Sequence, residues 1–167
     1  MTSQGTTRTP VYRVRGTLTP RAAGITREIA FPVLAVVAIV GYADIRIPMG
    51  LPGHRGLIWL TLLVAVVLAT HRRATVLAVG AAATIATVAI HGSTRYLAAA
   101  ILLYLVAAVA RRQLAVLAAA PIHLVAVTDS LMFVPEKLWF HLGFGLAAGL
   151  LGWAIAWAIG MATGNSS

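Results

Sequence analysis

The run LIWLTLLVAVVLATHRR, Leu57 to Arg73, decides how the chain is read. It carries no charge before its last two residues, and Thr61, Thr70 and His71 are its only other polar letters. A stretch of that length closed by paired arginines is the pattern of a helix that crosses a bilayer and stops at the headgroups. The same unit recurs along the chain. Apolar segments at about 29–43, 55–71, 74–92, 95–110, 114–133 and 138–162 are separated by short connections that carry the charges, prolines and polar residues, which predicts six transmembrane helices. Of the 167 residues 60% are apolar and only 10% charged, with a mean hydropathy of +0.90. Soluble domains carry roughly one charged residue in four, so an ordinary water-soluble globule is excluded. The expected fold class is all-α, a polytopic membrane helix bundle in one domain.

The net charge of +9 is distributed by topology. Arg8, Arg13, Arg15, Arg21 and Arg27 precede the first span, Arg72 and Arg73 fill the second connection, and Arg111 and Arg112 the fourth. The other connections hold only Arg46 with Arg55, then Arg95, then Lys137, together with Asp44, Asp129 and Glu136. An excess of Lys and Arg in short loops marks the cytoplasmic side, so both termini are expected there and the protein is expected to be multi-pass in the cytoplasmic (plasma) membrane.

Residues 1–28 read as a disordered basic arm, 29–163 as the transmembrane domain and 164–167 as a short polar tail. The arm's arginines suit anionic lipid better than nucleic acid. A cleaved signal peptide is the competing reading of the start, with Gly41-Tyr42-Ala43 as the cleavage region; the long segment before the apolar stretch favours a retained helix. The chain has no cysteine, so disulfides, thiolate metal sites and cysteine nucleophiles are excluded.

Three features stand out on the helices. Gly145, Gly149, Gly152, Ala156 and Gly160 form a small-residue stripe on the last helix, with His141 near its outer end, where another helix backbone can approach closely. Packing within one bundle is the simpler reading of that stripe and dimerisation the alternative; Trp153 and Trp157 beside it suit a lipid-facing or interfacial place. Gly80, Thr84, Thr87 and His91 make a mildly polar stripe on the third helix; it either lines a cavity or merely packs, its hydroxyls bonded to carbonyls one turn back. His123 falls mid-span two residues after Pro121, a buried polar position that is either functional or held by a structural hydrogen bond.

The first outer connection, Asp44 to Gly56 (DIRIPMGLPGHRG), combines charge with rigid punctuation. Pro48 and Pro52 restrict the backbone, the glycines permit tight turns, and Ile45, Ile47, Met49 and Leu51 alternate with other residues, a pattern that suits an extended lid over the bundle. A loop that pairs its own charges at the interface is the alternative. Asp44, Arg46, His54, Arg55, His91, Asp129 and His141 are the candidate substrate-binding residues on this side, with His123, Thr84 and Thr87 as a possible buried polar site and Gly145, Gly149 and Gly152 as helix-packing positions. HExxH, His-x3-His, GxSxG and Walker-type patterns are all absent, so no catalytic residue, metal or cofactor is expected and the chain is not read as an enzyme.

The Ile45–Gly56 segment, IRIPMGLPGHRG, and the Phe140–Gly149 segment, FHLGFGLAAG, set in six short helices with both termini inside, resemble the substrate-binding S component of energy-coupling factor (ECF) importers. The resemblance covers residues 29–162. It implies a vitamin-like micronutrient taken from outside beneath the first loop, and partnership with a transmembrane coupling protein and ATPase subunits. The chain departs from the family in two places. Ala35, Ala38 and Gly41 are three apart where many S components carry alanines four apart for docking, and the start Met1-Thr2-Ser3 lacks the Met-His segment of the metal-importing branch, which disfavours nickel and cobalt. A small histidine-containing membrane enzyme or redox protein, or an accessory scaffold subunit, are the alternatives.

Overall fold

A computed structural model describes residues 19–43, 45, 54–91, 94–127 and 135–164. The described residues are all-helical, with no strand among them. Six helices follow in order: α1 Pro20–Ala43, α2 His54–Ala69, α3 Thr75–His91, α4 Arg95–Val109, α5 Leu114–Ile122, continued by a 3-10 segment His123–Val127, and α6 Pro135–Ala162.

Helix α1 starts at Pro20, earlier than the span expected from 29. Thr19 is its N-cap, its hydroxyl accepting from the Ala22 N–H at 3.3 Å, and Pro20 takes the first helical position, where a missing N–H costs nothing. The helix then widens into a π turn over Thr26–Ala30, where the Phe31 N–H reaches back to the Thr26 carbonyl. Pro32 supplies the physical reason: in a regular helix its ring would press on the carbonyl of Glu28, and a wider turn relieves that clash without breaking the helix.

Helix α2 is the centre of the bundle and touches each of the other five helices. Leu60, Leu63, Val64, Ala65, Val66 and Val67 are completely buried, so α2 is enclosed on nearly all sides, the position that suits a helix apolar all round. Helix α6 lies against α2 and α5, α3 pairs with α4, and α1 leans on α3 and α2.

Glycines set the closest approaches. A side-chain carbon at Gly145 would sit 2.6 Å from the Ala119 carbonyl oxygen, one at Gly149 would strike the Val116 carbonyl, and one at Gly152 would sit 2.7 Å from Val64 Cβ. The stripe on α6 therefore faces α5 and α2 within the same bundle. In lipid no hydrophobic force drives helices together, and such backbone approach maximises the dispersion that does.

Helices α1 and α6 are each long and apolar enough to cross a membrane. Their apolar surface is not spent on a core: Val33, Leu34 and Val37 on α1 and Leu150, Leu151 and Trp157 on α6 are exposed, as are Ile101, Leu105 and Val109 on α4. A band of large exposed aliphatic side chains is what a lipid-facing surface requires and what a water-facing one avoids. The chain is thus suited to membrane association. The four remaining apolar helices are shorter; α2, the 16-residue example, extends about 24 Å at 1.5 Å per residue.

One expected span takes a different form. The segment read as one helix over 114–133 is α-helical only to Ile122 and then tightens into the 3-10 segment, with Pro121 just before the change. Pro121 has no N–H for the Leu117 carbonyl, so the turn before it is already short of one helical bond.

Candidate functional site

The two ends of the bundle have different chemistry. At one end the start of α1, the ends of α2 and α4 and the start of α5 are tied together by arginines acting on helix C-termini. Arg112 donates to the Thr70 carbonyl at 2.7 Å and to the His71 carbonyl at 2.9 Å, and Arg73 donates to the Ala108 carbonyl at 3.2 Å. Glu28 accepts from the His71 N–H at 2.7 Å and pairs with Arg27 at 3.5 Å. Carbonyls left over at helix C-termini carry partial negative charge, so cationic caps are favourable there. Burial holds the Arg112 guanidinium below its ordinary range; Arg73 and Arg27 lower it further, while Glu28 opposes them. Beside this cluster lies a cavity of about 680 Å³ bordered by Arg27, His71, Arg111, Arg112, Trp153 and Trp157.

The opposite end gathers aromatic and histidine side chains. His123, fully buried at the start of the 3-10 segment, and His141, on the second turn of α6, place their Nδ1 atoms 3.2 Å apart. Between neutral imidazoles such a contact takes one Nδ1–H donor and one bare Nδ1 acceptor, which are two different tautomers. Trp59 stacks alongside His123, with ring planes 11° apart and centroids at 6.3 Å, and meets Tyr96 edge-on at 5.6 Å. Gly56 makes this stacking possible: a Cβ there would overlap the His123 imidazole, so only glycine leaves room for the ring. Arg95 lies over the Tyr96 ring at 5.8 Å, and next to it a recess of about 50 Å³ is lined by Tyr42, Ile45, Arg55, Trp59, Arg95 and Tyr96.

Of the residues singled out in the sequence, His54, Arg55, His123 and His141 lie at this end. His54 is half-buried on the first turn of α2 and Arg55 is exposed at the recess. Asp44, Arg46 and Asp129 lie outside the described residues, as does the side chain of His91, which ends α3. Thr84 and Thr87 sit on the seam between α3 and α4 and do not border the recess. Thr84 accepts from the Leu97 N–H at 3.0 Å, satisfying one of the orphan donors at the start of α4, and Thr87 donates to the Ala83 carbonyl one turn back at 2.8 Å. Gly80 brings the two helices close enough for the first of these bonds.

Sequence reasoning did not single out Tyr42, Gly56, Trp59, Arg95 and Tyr96 as site residues. The one available signal was position: Arg95-Tyr96 open a helix on the same side as His54-Arg55, and Gly56 and Trp59 lie three apart on one face. Among the described residues no group of three or more His, Asp or Glu side chains is placed to hold a metal ion. Comparison with protein-family models, curated proteins and solved structures finds no match to the chain.

Proposed function

We propose that the chain is a six-span, multi-pass protein of the plasma membrane, with both termini cytoplasmic, that serves as the substrate-specificity subunit of an ECF-type micronutrient importer. The observation that carries this reading is the convergence of His123, His141, Trp59 and Tyr96 at the end of the bundle opposite the start of α1, with Arg55 and Arg95 at the adjoining recess. That end is where α1 stops at Ala43 and α2 starts at His54, the side on which the importer reading seats its ligand. Stacked aromatic side chains with a few fixed polar groups are the usual lining of a small-molecule site. Arg27, Arg73, Arg111 and Arg112 at the other end are in keeping with the positive-inside orientation. The chain carries no nucleotide-binding loop, so transport would draw its energy from a transmembrane coupling protein and ATPase subunits.

The test is native mass spectrometry of the protein purified in mild detergent from its own cells, followed by denaturing analysis of released small molecules. A stoichiometric vitamin-like mass that is lost in Arg46→Ala or His54→Ala, with ATPase subunits co-purifying, is the expected outcome. An empty protein with no ATPase partner would sink the importer reading.

A second reading, a histidine-containing membrane enzyme or redox protein, draws on the 3.2 Å contact between His123 and His141. Haem absorbance or a bound transition metal in the purified protein would favour it over the importer.

A further inference from the structure

The cavity of about 680 Å³ at the arginine end takes no part in the site proposed above, which lies at the opposite end of the bundle. Its polar rim comes from Arg27 in the π turn of α1, His71 just past α2, and Arg111, Arg112 and Gln113 ahead of α5. No Asp or Glu is among its described lining residues. Two of its guanidiniums are already committed: Arg112 caps the Thr70 and His71 carbonyls, and Arg27 pairs with Glu28. Arg111 is exposed at the rim, and among the described residues its side chain has neither an ion pair nor a hydrogen bond. Glu28 balances Arg27 alone, so the rim keeps the positive charge of Arg111 and Arg112.

Below the rim the cavity is walled by apolar side chains along α6. Trp153, Ala156, Trp157 and Gly160 fall at i, i+3, i+4 and i+7, one face of that helix, and Met161 follows. From Trp153 to Met161 this wall extends about 12 Å at 1.5 Å per residue. Trp153, Trp157 and Met161 are each more than half exposed, so the chain itself leaves the wall uncovered. Tryptophan favours headgroup level in a bilayer, where an apolar ring and a polar N–H both find their surroundings. The volume falls within the roughly 300–1,000 Å³ of pockets that take a whole small molecule, far beyond a bare anion the size of a few waters at roughly 30 Å³ each.

We propose that this cavity seats one anionic phospholipid, its phosphate on the Arg111 guanidinium with His71 and Gln113 beside it, and its glycerol and first acyl methylenes along Trp153, Trp157 and Met161. The planar guanidinium fork matches two phosphate oxygens. A rim that already holds Arg27 and Arg112 repels the ammonium of a zwitterionic headgroup, which gives the site its preference for net negative charge. A water-soluble phosphate would satisfy Arg111 and leave the α6 wall uncovered; a lipid does both. In the orientation proposed above this end meets the cytoplasmic leaflet, whose anionic lipids attract arginines at the membrane surface. The proposal uses the membrane association of the chain and is independent of what the opposite end binds.

The experiment is native mass spectrometry of the delipidated full chain in dodecyl maltoside, titrated with phosphatidylglycerol, with phosphatidylcholine of the same acyl chains, and separately with glycerol 3-phosphate. Phosphatidylglycerol is expected to bind roughly fivefold or more tightly than phosphatidylcholine. Arg111→Gln is expected to weaken phosphatidylglycerol roughly fivefold, the effect of one arginine beside anionic lipid, and to remove most of the preference. Arg72 is exposed at the same end and does not border the cavity, so Arg72→Gln is expected to leave binding within about twofold of the parent. Trp157→Ala is expected to weaken both lipids several-fold through lost apolar contact. Arg111 and Trp157 are both exposed, so their variants keep the fold, and circular dichroism verifies this for each protein.

Equal binding of the two lipids, or equal losses in Arg111→Gln and Arg72→Gln, would overturn the site in favour of a diffuse attraction between basic surface and anionic lipid. Glycerol 3-phosphate binding that follows Arg111, without phosphatidylglycerol binding, would replace the lipid by a soluble phosphate. Lipid binding indifferent to Trp157→Ala would refute the placement along α6. The importer reading fails separately: phosphatidylglycerol binding that follows Arg111, with no ATPase co-purifying from source cells, keeps the lipid site and removes the importer. Co-purifying ATPases with lipid binding indifferent to Arg111→Gln do the reverse.

Discussion

Two glycines on α6 are expected to respond to alanine with opposite signs. A Cβ at Gly149 would strike the Val116 carbonyl oxygen and would sit 2.9 Å from the carbonyl carbon and 3.2 Å from Cα, whereas a Cβ at Gly143 has nothing within 4 Å. All three obstacles at Gly149 are main chain, which cannot rotate aside as a side-chain tip can. Restoring ordinary contact distances requires α5 and α6 to part by about an ångström, and a gap of that order forfeits a quarter to a half of each dispersion contact. With about 20 atom pairs at ~0.1–0.2 kcal/mol each, the loss is about 0.5–2 kcal/mol, and residual overpacking adds ~1–3 kcal/mol. Against this the better helix former returns ~0.5–1 kcal/mol. Gly149→Ala is therefore expected to destabilise by about 0.5–4.5 kcal/mol, and Gly143→Ala to be neutral or stabilising by up to ~1 kcal/mol. The assay is unfolding by sodium dodecyl sulfate from dodecyl maltoside micelles, followed by circular dichroism. Should Gly149→Ala unfold no earlier than Gly143→Ala, the close approach of α5 and α6 at this glycine is wrong.

Arg112→Gln removes two charge-assisted bonds to the Thr70 and His71 carbonyls and is expected to cost about 1.5–3 kcal/mol in the same assay, with hydrogen exchange quickening first at the C-terminal turn of α2. Thr84→Val strips the Leu97 N–H of its acceptor and is expected to cost ~1 kcal/mol, while Thr87→Val, which loses only a bond within its own helix, should fall within ~0.5 kcal/mol of the parent; equal costs would contradict the seam geometry. His123→Ala and His141→Ala are expected to be non-additive, the double variant costing ~0.5–2 kcal/mol less than the sum, because each single change already breaks the one contact between them; additivity in a double-mutant cycle would show that the rings do not act as a pair.

How much of this was legible in the sequence differs from residue to residue. The stretch Leu57–Arg73 declared an apolar helix closed by charge because helix length and charge placement are local properties, printed one residue at a time. The small-residue stripe Gly145–Gly149–Gly152 was legible for the same reason: a period near 3.6 puts those positions on one face whatever the partner. The π turn over Thr26–Ala30 was signalled by nothing except Pro32, whose effect falls on residues ahead of it. His123 was recognisable as a buried polar residue, yet its partner His141 lies 18 positions on, across residues with no periodic relation to it.

By itself the sequence determined the helical class, the exposed apolar surface suited to lipid, the division of charge between the two ends and the face by which α6 packs. Each follows from hydrophobicity and helical period, which depend on neighbours along the chain. Only the tertiary structure decided that α2 is the enclosed centre, that the stripe meets Val116 and Val64, that Gly56 leaves room for the His123 ring, and that Arg55, Arg95 and Trp59 border one recess. The helices are similarly apolar, so composition does not rank them; which one is surrounded, and which side chains then meet at its end, is settled by how closely backbones can approach, a property of pairs of helices that no single helix carries.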